Sequence, residues 1–220
     1  MTWFETKRGS DLLLLEQKIL DQLFDHLFGY NIVQIGNHRS LIENSRFKNK
    51  YTCKQIQLDA AQLPFESDAI DCIILPHQNT EDERMLSEVY RSLMPHGHAI
   101  FINFNPWSPI GLRTFFSMSS EEPWNHNLES FTSFQNKLLK QDFEIVNGKF
   151  FGYHPRFKSA SNKSRWDKIG DRWFPLFANI YLIVVRKKIF TMTPIKPSWN
   201  GKIQRNQVKV KETYELKNLY

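Results

Sequence analysis

Apolar positions recur at helical spacing near the N-terminus: Leu12, Leu15, Ile19, Leu20, Leu23, Leu27 and Phe28, with Glu16, Lys18, Asp21 and Asp25 between them. The spacing predicts a helical region over residues 1–29, capped by Ser10 or Asp11 and ended by Gly29. The pattern then changes to short apolar runs at 32–35, 69–75 (AIDCIIL), 99–104 (AIFINF) and 179–186 (NIYLIVVR), the form of strands buried on both faces. Amphipathic stretches separate them. Residues 80–94 predict a helix with Met85, Leu86, Val89, Tyr90 and Leu93 on its apolar face and a Thr80/Glu83 capping box. Residues 130–141 predict another, with Phe131, Phe134, Leu138 and Leu139 on one side. A short helix at 112–118 and a strand at 143–151 complete the series. Apolar strands alternating with helices specify an α/β fold with a mostly parallel sheet, which takes its ligands at the carboxyl ends of the strands.

The interval between residues 41 and 58 is short. RFKNKY at 46–51 and CKQIQL at 53–58 predict two brief strands with almost no room for helices. Asp59 closes the second. Leu63-Pro64-Phe65 then reads as an apolar hook onto the core, and Glu66-Ser67-Asp68 as a polar turn. Asp59 and Pro76-His77-Gln78 fall at the carboxyl ends of predicted strands, where a ligand is expected.

Composition changes this picture little. A chain of 220 residues buries a full core as one domain. No apolar run approaches the ~20 residues of a membrane span, and Asp11, Glu16 and Lys18 interrupt any signal-peptide core. Cys53 and Cys72 lie on predicted strands and read as buried thiols of a reducing cytoplasm. His96 and His98 flank a turn with no acidic or Cys partner nearby, so they read as exposed turn residues and no metal is expected.

Charge is uneven. From Arg186 onward there are nine Lys/Arg and two Asp/Glu, a balance of +7 against +6 for the whole chain, which leaves −1 for residues 1–185. Residues 154–174 interleave Arg156, Lys158, Lys163, Arg165, Lys168 and Arg172 with Phe157, Trp166 and Trp173. Such a mix suits phosphates and stacked bases, so RNA enters as a partner class; a solvated lid anchored by its Trp residues is the alternative. The plan is thus an N-terminal helical cap at 1–29, an α/β domain at 30–188 with an insertion at 154–174, and a basic tail at 189–220.

D-A-x-x-L-P-F from Asp59, a polar turn and an I-D-hydrophobic strand resemble the middle of a class I S-adenosylmethionine-dependent methyltransferase. The F-N-P-W-S-x-x-G-L-R run from Phe104 to Arg113, the strand IYLIVVRKK and the strand-Gly36-Asn37 start are similar to the YafS-like branch with a type 11 methyltransferase domain, over nearly the whole chain. The resemblance implies a Rossmann-like fold with an antiparallel C-terminal hairpin. It implies S-adenosylmethionine as cofactor, Asp59 and Ala60 at the adenine, Gly36 and Asn37 where the backbone approaches the methionine, and Leu75 and Pro76 beside it. His77 becomes the candidate base and Asn105 the residue that orients the acceptor. Trp107 is either a pocket wall or a core residue of a rigid turn.

The chain departs from the family at the first turn, where an acid precedes G-x-G-x-G. Only Gly36 is kept: Gln34 stands at the acid, and His38 and Ser40 stand at the second and third glycines. Glu43 follows the turn too closely to serve as a ribose ligand. After the 80–94 helix, Pro95 and Gly97 match L-x-P-G-G, with His96 in place of a glycine. Two functions follow. One is methyl transfer by in-line displacement to an unidentified small-molecule or macromolecular acceptor. The other is a pseudoenzyme that keeps the fold as a binding module for a protein or RNA.

Overall fold

The computed structural model describes residues 3–36, 39–53, 63–78, 83–109, 111–112, 128–153 and 177–188. The chain divides into a unit Met1–Ile189 and a second, Phe190–Tyr220. Asn37, His38, Asp59, Ala60, the Thr80 cap, Arg113, the 154–174 insertion and the tail from residue 189 lie outside the described residues.

Helix α1 spans Lys7–Phe24. Its cap is Thr6, whose hydroxyl accepts from the Gly9 amide, and the helix ends at Asp25. Ser10 and Gly29 therefore do not bound it: Ser10 already lies inside the first turns, its amide bonded to the Thr6 carbonyl. Leu12, Leu13, Ile19, Leu20 and Phe24 are buried against the sheet, whereas Phe28, expected on the apolar face, is 84% exposed beyond the helix end. Glu16, expected on the polar face, is fully buried.

The strands among the described residues are β1 (Asn31–Ile35), β2 (Asn49–Cys53), β3 (Ile70–Pro76), β4 (Leu93–Phe104), β5 (Phe143–Phe151) and β6 (Ile180–Lys187). They form one sheet in the order β2-β1-β3-β4-β6-β5. The first four run parallel; β6 is antiparallel to both β4 and β5, giving the expected C-terminal hairpin. Strand β3 is buried along nearly its whole length, as its apolar run at 72–76 requires, with Asp71 the half-buried exception. The lysine-bearing β2 is mostly exposed.

Strand β2 takes the end of the strand expected at 46–51 and runs on to Cys53, whereas residues 54–58 of the second expected strand lie outside the described residues. Pairing starts where the Asn49 amide reaches the Tyr30 carbonyl, because Phe47 is drawn out of line into the core. Residues 39–48 contain no helix. Leu41, Ile42 and Phe47 fill that space, and α1 ties the segment down: Gln17 donates to the Leu41 carbonyl, Asn44 to Asp21, and Arg46 pairs with Asp25.

Helix α2 (Glu83–Ser92) and helix α3 (Phe131–Lys140, capped by Ser130) cover the opposite face through Met85, Leu86, Val89, Phe134 and Leu138. Leu139, expected with them, is half exposed. Strand β4 begins at Leu93 and takes in the Pro95–Gly97 stretch, so His98 is a half-buried strand residue, paired across to Arg186, and not an exposed turn histidine. His96 is exposed, with φ at 64°.

Candidate active site

The carboxyl ends of β1, β3 and β4 lie side by side, and β6 enters the sheet next to them at Ile180, opposite Phe104. At the end of β1, Gly36 is buried with φ at 142°, a conformation that L side chains rarely adopt. Its amide donates to the Cys53 carbonyl, and a Cβ here would come within 2.7 Å of the Gln78 Nε2 and 3.6 Å of the Pro76 oxygen. Gly36 and Pro76-His77-Gln78 therefore share one small space. Leu75 points into the core under α2, leaving its backbone at the edge, while the Pro76 carbonyl accepts from the Gln78 side chain.

Gln34 is fully buried on β1. Its Oε1 accepts from the Leu41 amide at 2.7 Å and its Nε2 donates to the Arg39 carbonyl at 3.1 Å. The amide is a strut that closes the loop after Gly36 on itself. A carboxylate could not play both parts, since it has no proton to donate to a carbonyl.

His77 sits just past β3 with φ at 51°, held by a bond from its amide to the Ile102 carbonyl. Left-handed backbone in a non-glycine residue clusters at functional sites. Its imidazole Nε2 lies 2.6 Å from Glu16 Oε1, with the two side chains 3% and 0% exposed. The ring stacks on Phe104 at 4.1 Å between centroids, and Phe4 lies 5.4 Å away. Glu16 was not anticipated. The signal was present, because Glu16 lies four residues from both Leu12 and Leu20 and so belongs to the buried stripe of α1.

Asn105 follows β4, and both ends of its amide have partners: Nδ2 donates to the Ala178 carbonyl at 2.9 Å and Oδ1 accepts from the Trp107 amide at 3.1 Å. The side chain thus fixes the Asn-Pro-Trp turn. Trp107 is 61% exposed, so it does not pack in the core as a turn-only reading required. Ser108 is buried and accepts from the Gly111 amide, starting the next turn.

The loop leading into β3 has its own clamp. Arg91 of α2 donates to the Leu63 and Phe65 carbonyls and to Ser67, and it pairs with Glu88, which also accepts from the Leu63 amide. The bond to Arg91 holds the Glu88 carboxyl below its usual range. The expected apolar hook is there, with Leu63 buried and Phe65 packed on the same cluster. Cys53 and Cys72 are free thiols, and burial raises both above the ordinary thiol range. Among the described residues no group of His, Cys, Asp or Glu could hold a metal ion, and no helix is long and apolar enough to cross a membrane.

Parallel strands and a C-terminal antiparallel hairpin agree with the known proteins that this chain resembles. Residues 17–101 match the family described as "Methyltransferase domain". The fold is that of the class I methyltransferases. The uncharacterized protein YafS of Escherichia coli (strain K12) is 25% identical over 202 residues, which span 84% of this chain and 80% of YafS. A Thermotoga maritima S-adenosylmethionine-dependent methyltransferase, described as a possible histamine N-methyltransferase, superposes with a TM-score of 0.57 at 18% identity, over 80% of this chain and 89% of its own. An S-adenosylmethionine-dependent methyltransferase from Archaeoglobus fulgidus gives the same TM-score at 16% identity, over 80% and 94%. In fold the chain is similar to these methyltransferases.

Proposed function

We propose that the chain binds S-adenosylmethionine across the carboxyl ends of β1 and β3 and transfers its methyl group to an acceptor by in-line displacement. The observation that carries this reading is the Gly36 turn, buried, at φ 142° and facing the Pro76 carbonyl. The bound cofactor supplies a methyl group already activated by its sulfonium, so alignment of the acceptor provides most of the effect. Gly36 and Asn37 admit the ligand close to the backbone, Asp59 and Ala60 hold the adenine, and Leu75 and Pro76 border the methionine. His77 takes the acceptor's proton, with Glu16 fixing its ring. Asn105 is a positioning residue, setting the turn that presents Trp107 to the acceptor. The experiment is calorimetry with S-adenosylmethionine and S-adenosylhomocysteine. Saturable heat is expected, and none at millimolar ligand overturns the reading.

A second reading, a pseudoenzyme that uses the fold as a binding module, is favoured by Gln34, whose amide serves its own loop where the family places an acid. A His38→Gly variant separates the two. It gains cofactor affinity if the residue at the second glycine position is what bars the ligand. Under either reading RNA is the partner class that the basic 154–174 insertion and the +7 C-terminal stretch suit, and binding that weakens steeply with added salt is its expected signature.

A further inference from the structure

Glu16 is fully buried, yet only one of its carboxylate oxygens is engaged: Oε1 bonds His77, while Oε2 has no hydrogen-bond partner among the described residues. A buried carboxylate oxygen with nothing to accept from is expensive, and native structures keep such a group where something else satisfies it. Its place is specific. Glu16 touches His77, the residue after Pro76, and the Pro76 carbonyl faces the Gly36 turn. Through His77 the carboxylate is tied to the residue next to Pro76, whose carbonyl faces the turn where the methionine end of a cofactor would rest, and Phe4 and Phe104 flank the His77 ring. A negative charge in such a setting attracts a ligand cation and rejects a ligand anion, and the low local dielectric strengthens both effects.

The β1 position of the family acid is not available for that task. Gln34 carries no charge, and both ends of its amide are bonded to the 39–41 backbone. We infer that α1 supplies the ammonium anchor: Glu16, through Oε2, holds the amino group of the ligand's amino-acid portion. The inference rests on the cofactor reading above and adds a residue to it. It also gives α1 a ligand-binding task besides its packing role, since the helix that covers one sheet face brings the anchoring charge to the sheet edge.

The test is calorimetry on the full chain with three ligands: S-adenosylhomocysteine, its analogue lacking only the α-amino group, and 5′-methylthioadenosine, which lacks the whole amino-acid end. Wild-type protein is expected to bind S-adenosylhomocysteine about tenfold or more tightly than the des-amino analogue, the scale of a hydrogen bond to a charged group. Glu16→Gln should abolish that preference and leave methylthioadenosine affinity within about twofold. Should Glu16→Gln fail to fold, as judged by circular dichroism, Glu16→Asp retains the charge on a shorter stem and should show a reduced preference. Equal affinity of the wild type for S-adenosylhomocysteine and its des-amino analogue overturns the inference while leaving cofactor binding intact. So does a Glu16→Gln variant that keeps the preference or weakens all three ligands alike. A wild type that binds none of them fails the cofactor reading itself, and the anchor falls with it.

Discussion

Glu16 Oε1 and His77 Nε2 are 2.6 Å apart although 61 residues separate them in the chain. One comes from the middle of α1 and the other from the carboxyl end of β3, so this contact joins the N-terminal helix to the edge of the sheet where the candidate site lies. Both side chains are almost wholly buried. Removing either partner strands the other in the core, and Glu16→Ala or His77→Ala should each cost about 3–5 kcal/mol. Replacing both with apolar residues of similar volume, Glu16→Leu with His77→Phe, should cost much less than the two losses added together. Urea denaturation of the wild type, Glu16→Leu, His77→Phe and the double variant measures the cycle. Simple additivity would mean that the two groups do not act as a pair.

Gln34 makes a second prediction about local architecture. Its amide bridges Arg39 and Leu41 from a fully buried position. Gln34→Ala leaves a buried amide N–H and a carbonyl without partners and should destabilise by about 1–3 kcal/mol. Gln34→Glu, which restores the residue type that the family carries there, should also destabilise, because a carboxylate facing the Arg39 carbonyl has no proton to donate. A Gln34→Glu variant as stable as the wild type would show that the loop does not depend on the donor.

Backbone conformation gives predictions of opposite sign at two positions. Gly36→Ala forces a Cβ onto a residue at φ 142° and against Gln78, and should cost about 1–3 kcal/mol. His96 is exposed at φ 64°, a left-handed conformation that costs a residue with a Cβ about 1 kcal/mol. His96→Gly should therefore stabilise the fold by up to about that amount, less the extra entropy glycine gives the unfolded chain. Melting temperatures of the two variants moving in the same direction would contradict the assignment of one of them.

His96 also indicates what the sequence could disclose. It stands where L-x-P-G-G has a glycine, and the structure gives it left-handed backbone there. Long apolar runs such as IDCIILP fixed β3, and Ser130 with its apolar stripe fixed α3, because burial on both faces and helix capping leave local traces. Glu16 was misread for the converse reason. Its residue type suggests solvent, and only the i, i+4 relation to Leu12 and Leu20 placed it inward, toward a partner that sequence order puts far away. Gln34 and Arg91 were equally opaque, since each bonds backbone atoms of another loop and a loop's carbonyls carry no sequence signature. Trp107 could be wall or core because a turn fixes the backbone without deciding which way a side chain faces.

His98 predicts how stability depends on pH. It sits half-buried in β4, opposite Arg186 and near His96. Burial first, then the positive charges of Arg186 and His96, hold its imidazolium below the ordinary value of 6.5. When the pH falls through 6.5 the unfolded chain takes up this proton before the folded one does, so stability attributable to His98 is complete above 6.5 and declines below it. The carboxylates that also lose stabilising contacts on acidification, Glu88 with Arg91 and Glu144 with Arg186, are held below their ordinary 4.5, so their losses fall at lower pH and do not overlap that window. His98→Gln removes the titrating group and leaves a neutral side chain of similar reach. Urea midpoints measured from about pH 8 to about pH 5 should fall less steeply below 6.5 for His98→Gln than for the wild type. Parallel curves across that range would mean that His98 takes up its proton equally in the folded and unfolded chains, and that its place in the β4 strand does not exclude the charge.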